Sequence, residues 1–185
     1  MRPLLCLLLA LTAQAADRPN ILWLVTEDNV ATTVGAYGDS LAKTPHIDGL
    51  AKSGILFERC YSTSAVCAPT RSSIITGRYA SSMGTQHMRS KQPLPAGVKF
   101  FPEYLRAAGY FTTNNAKTDY NTSSDWDSAW NENSKRAHWR HRSAGQPFFA
   151  IFNFEQSHES NLHKRSPLVT DPAKVRVPAY LPDTP

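Results

Sequence analysis

The chain has 185 residues, and its formal charge of +5 at pH 7 comes from 20 Lys and Arg against 15 Asp and Glu. This length is enough for one domain with a hydrophobic core. The positive charges are spread along the sequence rather than interleaved with aromatics in one block, so nucleic acid is not an expected partner. A mild cationic excess suits an anionic small molecule or polysaccharide better.

The N-terminal residues have the pattern of a secretory signal peptide. Arg2 gives a short positive region, residues 4–11 are apolar, and residues 13–15 form an A-x-A cleavage pattern. The apolar run is too short to span a bilayer, and we expect no membrane span elsewhere in the sequence. We therefore expect residues 1–15 to be removed and the mature protein to be secreted or periplasmic.

Removal of the signal leaves two cysteines, Cys60 and Cys67, in an oxidising compartment. One interpretation is a disulfide that closes the short loop between them. The other gives Cys67 a chemical role. The number of cysteines alone leaves both interpretations open.

The first predicted elements are a strand and a helix. Residues 21–26 (ILWLVT) form a short apolar run, which is typical of a strand buried on both faces. Thr44 and Pro45 are suited to begin a helix that Gly54 ends, because Thr can cap the first turn and Pro fits within it. Residues 55–57 are expected to be extended or to form a strand.

Further along, strands and helices continue to alternate. A helix is predicted to begin at Pro69 and to be ended by Gly77, and another over residues 101–108. Residues 110–116 and the apolar run 148–154 (FFAIFNF) are predicted strands. This pattern predicts an α/β fold with a mostly parallel sheet and helices on both faces.

Residues 121–146 are polar and contain Trp126, Trp130 and Trp139, which predicts a surface excursion with a little helix. The tryptophans either line a sugar groove or form a local core. From residue 166 onward the chain is proline-rich and extended, so we expect residues 16–185 to be part of a larger domain that is truncated at its C-terminus.

Polar side chains follow three of the predicted strands: Glu27, Asp28, Lys117 and His158. Ligands of open α/β sheets bind outside the carboxyl ends of the strands, so these residues are expected to converge on one crevice with Cys67 and Arg71. The start of a helix favours an anion, and the planar donors of arginine match a tetrahedral oxyanion.

Other chemistry in this set points to the same kind of ligand. Glu27 and Asp28 are hard oxygen donors for a cation such as calcium, Lys117 adds positive charge, and His158 is a proton donor near neutral pH. Each residue taken singly also has an ordinary explanation as a charged turn, a solvated lysine or an ion-paired histidine. Only the combination describes a site for an oxyanion ester.

Residues 67–77 (CAPTRSSIITG) match in full the signature C-x-P-S/T-R-x-x-x-x-T-G of formylglycine-dependent sulfatases. Residues 18–28, 44–57 and 147–158 resemble other segments of that family, with Glu27 where an aspartate is usual. Shorter segments are similar to heparan N-sulfatases and related polysaccharide sulfatases. The resemblance implies an alkaline-phosphatase-like sulfatase fold, with residues 16–185 as the N-terminal portion of the catalytic domain.

The resemblance also implies an activity: hydrolysis of a sulfate ester or N-sulfate of a sulfated glycan, with release of inorganic sulfate. Cys67 would be converted to formylglycine by a formylglycine-generating or anaerobic sulfatase-maturating enzyme, and its hydrated aldehyde would be the nucleophile. Arg71 and Lys117 would stabilise charge and His158 would protonate the leaving group. A calcium ion would be held by Glu27, Asp28 and residue 67.

Asp119 departs from the family pattern, because a histidine is common two positions after the lysine. The residue that would act as base when the covalent sulfate ester releases its sulfate is therefore open, and His87 is one candidate. Asp119 and His87 are also candidate substrate-binding residues. Two other functions remain: a phosphatase or phosphodiesterase of the same superfamily, or an inactive carbohydrate-binding remnant. The family also draws calcium ligands from a later segment than any present here.

Overall fold

The protein is represented by a computed structural model that describes residues 18–164 and 167–184. The signal peptide predicted at residues 1–15 lies outside the described residues. Within the part that is described, no helix has the length and apolar character needed to cross a membrane.

Within the described residues, four parallel strands form one sheet: β1 (Ile21–Thr26), β2 (Phe111–Asn115), β3 (Glu132–Asn133) and β4 (Phe148–Phe154). Their order is β1-β4-β2-β3, so β4 lies between β1 and β2. The predicted α/β fold with a parallel sheet is confirmed. Because the strands run the same way, the residues that follow β1, β2 and β4 meet at one edge of the sheet.

The α-helices are α1 (Pro45–Ser53), α2 (Cys67–Thr76), α3 (Ala80–Met83) and α4 (Phe101–Ala107). Short 3₁₀ helices lie at Ala31–Thr33, Gly35–Tyr37, Asp127–Ala129, Trp139–His141, Glu159–His163 and Pro172–Lys174. α2 begins at Cys67, before the predicted start at Pro69, because proline is tolerated in a first turn whose N–H groups lack partners in any case. It ends at Gly77 as predicted, where a left-handed backbone with φ of 66° closes the helix.

Residues 55–57, which we expect to be extended or to form a strand, form no strand; their side chains are exposed, and none of the described strands pairs with them. The prediction for the next polar segment is wrong in part. Residues 121–146 are not simply a surface excursion, because β3 joins the sheet and Trp130 is buried. Trp130 stacks on Phe149 with 6.0 Å between ring centroids, so this tryptophan belongs to a core rather than to a sugar groove.

The main core lies on one face of the sheet and is centred on Phe149 in β4. This side chain is fully buried and contacts Trp23 of β1 and Phe101 of α4 with ring centroids 5.2 and 5.0 Å away. On the other face, Trp139 stacks on Phe148 at 5.0 Å. Aromatic side chains thus pack against both faces of β4, the strand that precedes the predicted site residue His158.

Replacing Phe149 with alanine is expected to lower the free energy of unfolding by about 3–5 kcal/mol, because the substitution removes a large buried ring and leaves a cavity. Chemical denaturation of the full-length protein measures this loss. Phe154→Ala, in the same strand but 42% exposed, is the matched control and should cost much less. Equal losses in the two variants would contradict the placement of the core.

Candidate functional site

An open cleft of about 740 Å³ lies at the carboxyl edge of the sheet. Residues 115–119 line it after β2, and Asn153 lines it at the end of β4. Further lining comes from Lys135 and from six residues between Glu155 and Lys164. The cleft therefore brings together three of the residues predicted from the sequence: Lys117, Asp119 and His158.

Glu27 is a buried carboxylate, only 5% exposed, directly after β1. Its Oε2 accepts a hydrogen bond from Lys117 Nζ at 2.8 Å, and its Oε1 lies 3.4 Å from Arg71 Nη1. Two cations from α2 and from the segment after β2 thus meet one anion from β1. The contact joins three parts of the chain that are distant in sequence.

Arg71 is 8% exposed, and its guanidinium is used mainly to hold backbone in place. Nε donates to the carbonyl of Thr118 at 2.7 Å, Nη2 donates to the carbonyl of Lys117, and Nη1 donates to Asn153 Oδ1 at 3.1 Å. The ring of Tyr120 lies 5.7 Å below the guanidinium carbon. Arg71 therefore positions the segment that carries Lys117 and Asp119.

A network of asparagine side chains around the buried Asn114 supports the same segment, and the sequence analysis missed it. Asn114 Nδ2 donates to the Lys117 carbonyl at 3.0 Å and to Asn133 Oδ1 at 2.9 Å. Asn153 Nδ2 donates to Asn114 Oδ1 at 3.0 Å. Asparagine is depleted in strands, so its presence near the ends of two predicted strands was the available signal.

Cys67 is the first residue of α2 and is partly exposed. Its thiol points to Asp119, with 3.8 Å between Sγ and Oδ2. Burial raises the pKa of the thiol above its ordinary value of 9.0, and the negative charge of Asp119 raises it further. Cys60 and Cys67 are both free, so the disulfide considered from the sequence is not formed.

His158 is held in a defined orientation after β4. Its Nδ1 accepts from the Ser160 N–H at 3.2 Å and lies 2.8 Å from Ser160 Oγ. Nδ1 is thus engaged by Ser160, and Nε2 is the ring nitrogen that remains for another partner. His87 is exposed and is not part of the cleft lining; only its carbonyl is engaged, by Asn121 Nδ2 at 2.6 Å.

The predicted metal ligands are of the right chemical type for calcium, but they do not form a complete site here. Both oxygens of Glu27 contact cations, and Asp28 Oδ2 accepts the Glu159 N–H at 2.8 Å. Calcium takes about six to eight oxygen ligands. Across residues 18–164 and 167–184, no three His, Cys, Asp or Glu side chains are grouped to hold a metal. The assignment of Glu27, Asp28 and residue 67 to calcium stays a prediction.

Comparison with known proteins gives consistent matches along the chain. A family model described as Sulfatase matches residues 19–175. An ulvan-active sulfatase of Formosa agariphila is 49% identical over 158 residues, which cover 79% of this chain and 26% of that protein. The chain thus spans about a quarter of the length of this curated relative.

Solved structures share the fold at low sequence identity. A protein in complex with its substrate D-glucosamine-2-N,6-O-disulfate is 22% identical, with a TM-score of 0.65, over 78% of this chain and 35% of its own. A phosphonate monoester hydrolase from Silicibacter pomeroyi is also 22% identical, with a TM-score of 0.67, over 89% of this chain and 47% of its own. These likenesses confirm the predicted alkaline-phosphatase-like sulfatase fold.

Replacing Glu27 with glutamine is expected to lower the free energy of unfolding by about 3 kcal/mol, because Arg71 and Lys117 then lack their buried counter-charge. Urea denaturation in the presence of a chelator measures this without any contribution from bound metal. Glu155→Gln is the matched control, since Glu155 is 60% exposed and lies 3.9 Å from Lys117. A loss no larger than that of the control would contradict the role of Glu27.

In protein whose residue 67 is still cysteine, Asp119→Asn is expected to lower the pKa of the thiol, because the substitution removes a nearby negative charge. The pH dependence of alkylation at Cys67, followed by peptide mass spectrometry, should shift to lower pH. Asp183→Asn, at an exposed position, is the control. An unchanged profile in Asp119→Asn would show that the two side chains do not interact.

Proposed function

Because the chain belongs to the sulfatase family, we propose that the protein containing it hydrolyses a sulfate ester or an N-sulfate of a sulfated glycan and releases inorganic sulfate. The observation that carries this proposal is the position of Cys67. It lies within the complete signature of residues 67–77, at the start of α2, and its thiol points to Asp119 at the wall of the cleft.

The glycan as substrate is supported by the names of similar proteins. The relative from Formosa agariphila, 49% identical, is an ulvan-active sulfatase. A neighbour in fold was solved with a sulfated glucosamine as its substrate. The cleft is open and polar, which suits a sugar chain better than a small apolar ester. The signal pattern at residues 1–15 favours export, and polymers of this kind are found outside the cell.

Formylglycine at residue 67 and a calcium ion are implied by the family. When present, formylglycine supplies a hydrated aldehyde as nucleophile, and calcium stabilises negative charge on the sulfate group. Cys67 fits this conversion, because it is a free thiol, partly exposed, in an intact signature. A formylglycine-generating or anaerobic sulfatase-maturating enzyme would be the partner that converts it.

The residues of the chain itself bind the sulfate and move protons. Lys117 Nζ, which donates to Glu27 Oε2 at 2.8 Å, would bind a sulfate oxygen at the cleft wall. Protonated His158 would donate its Nε2 proton to the oxygen or nitrogen of the leaving group and become a neutral ring. Arg71 would act through the backbone of residues 117–118, whose carbonyls it holds.

Asp119 is the group we assign to accept a proton from residue 67. Its Oδ2 is 3.8 Å from the Cys67 sulfur, and the residue is exposed to the cleft with a left-handed backbone at φ of 48°. His87, the other candidate base, is outside the cleft lining. A carboxylate thus replaces the histidine that is common at this position in the family.

The alternative functions are weaker. A phosphonate monoester hydrolase shares the fold with a TM-score of 0.67, so the fold alone does not separate sulfate from phosphorus substrates. Phosphatases and phosphodiesterases of this superfamily use Ser or Thr as nucleophile, whereas residue 67 is Cys within a full sulfatase signature. An inert carbohydrate-binding remnant would keep an unmodified thiol at this position.

Release of inorganic sulfate from a panel of O- and N-sulfated glycans, measured with the full-length protein, tests the proposed function. We expect turnover of at least one glycan, together with a mass at residue 67 that corresponds to formylglycine. Cys67→Ala should abolish turnover, because no nucleophile remains. Sulfate release by protein with wholly unmodified Cys67, or by the Ala variant, would overturn the proposal.

Asp119→Asn is expected to lower kcat by about 100-fold or more if Asp119 accepts the proton, since positioned general bases contribute about 10²–10⁴-fold. His87→Gln is the comparison and should leave kcat within about twofold of the parent. A larger loss in His87→Gln than in Asp119→Asn would reverse the assignment.

A further inference from the structure

Among the described residues, three lysines line the cleft, and two of them have no carboxylate partner there. Lys117 lies 2.8 Å from Glu27 and 3.9 Å from Glu155. Lys135 and Lys164 form no ion pair with any residue in the described part of the chain. The positive charges of these two lysines are therefore not neutralised by the carboxylates of the cleft.

Lys135 is placed at the cleft by the end of β2. The Nδ2 of Asn115 donates to the carbonyls of Lys135 and Ala137 at 3.0 and 3.2 Å, and the Ser134 N–H donates to the Asn114 carbonyl at 3.1 Å. The loop that follows β3 is thus bonded to the strand that leads to Lys117.

Lys164 reaches the cleft from a different element, at the end of the 3₁₀ helix Glu159–His163. Its Nζ donates to Asn161 Oδ1 at 2.7 Å, and Asn161 Nδ2 donates to the carbonyls of Glu155 and Gln156. A neutral amide orients this ammonium without cancelling its charge. The segment that holds it is the same one that carries His158.

We propose that Lys135 and Lys164 bind a second anionic group of the substrate, a carboxylate or a further sulfate, next to the sulfate that is cleaved. The inference rests on the proposed function, because Lys117 and His158 define where the cleaved sulfate lies. Unpaired ammonium groups that face a shared cleft attract an anion and discriminate against neutral ligands. The substrate class is therefore a polyanionic glycan rather than a singly sulfated neutral sugar.

The test compares two substrates in the full-length protein: a singly sulfated neutral disaccharide, and the same disaccharide with one more anionic group. We expect the parent protein to prefer the doubly anionic sugar through a lower KM. The double variant Lys135→Gln/Lys164→Gln should lose most of this preference, about tenfold, because each exposed charge contact contributes modestly. Lys52→Gln/Lys99→Gln, exposed lysines away from the cleft lining, should retain it.

A carboxylate version and a doubly sulfated version of the second sugar show which anion is bound. Preference retained in full by Lys135→Gln/Lys164→Gln, or lost equally by the Lys52→Gln/Lys99→Gln control, would overturn the proposal.

Calorimetric binding of the doubly anionic sugar to Cys67→Ala protein, with and without the two lysine substitutions, separates this inference from the proposed function. If no glycan is turned over but the sugar binds about tenfold more weakly after the lysine substitutions, the cation pair is supported and the sulfatase activity is not. Turnover of a glycan with no change in binding or KM after the lysine substitutions would support the sulfatase activity and overturn the role of the two lysines.

Discussion

The buried carboxylate of Glu27 is the contact on which the site depends. It follows β1, yet it pairs with Lys117 after β2 and with Arg71 in α2. Isolated buried charges are costly, and a buried pair is stable only when its geometry and hydrogen bonds are good. Here the carboxylate contacts two cations. The guanidinium of Arg71 also donates hydrogen bonds to two backbone carbonyls and to the side-chain amide oxygen of Asn153. These ion pairs thus hold together three segments of the chain: the end of β1, α2 and the residues after β2.

The parallel sheet makes this meeting possible. β1 and β2 both pair with β4, so the residues after all three strands leave at one edge. The same edge receives His158 after β4, while α2 brings Cys67 to Asp119. Each side chain therefore comes from a different element. A substitution that disturbs the core under β4 should affect the site even where it contacts no substrate.

Much of this arrangement could be predicted from local sequence. The apolar runs of β1 and β4 identify buried strands, Gly77 identifies the end of α2, and the signature at residues 67–77 indicates the sulfatase family. The sequence predicts that the polar side chains after the strands converge, but it does not predict which of them pair with one another. The pairing of Glu27 with two cations depends on where separate elements arrive. The polar composition of residues 121–146 likewise gave no sign of β3 or of the buried Trp130, because a segment needs only a few apolar residues to pack against a core.

A crystal structure of full-length Cys67→Ser protein with a bound sulfated disaccharide would test most directly whether this edge of the sheet is where sulfate is held. The sulfate group should lie within hydrogen-bond distance of Lys117 Nζ, beside residue 67, with the leaving-group atom facing His158. A sugar whose sulfate group lies elsewhere, for example against His87 or Trp139, would contradict the assignment of the site.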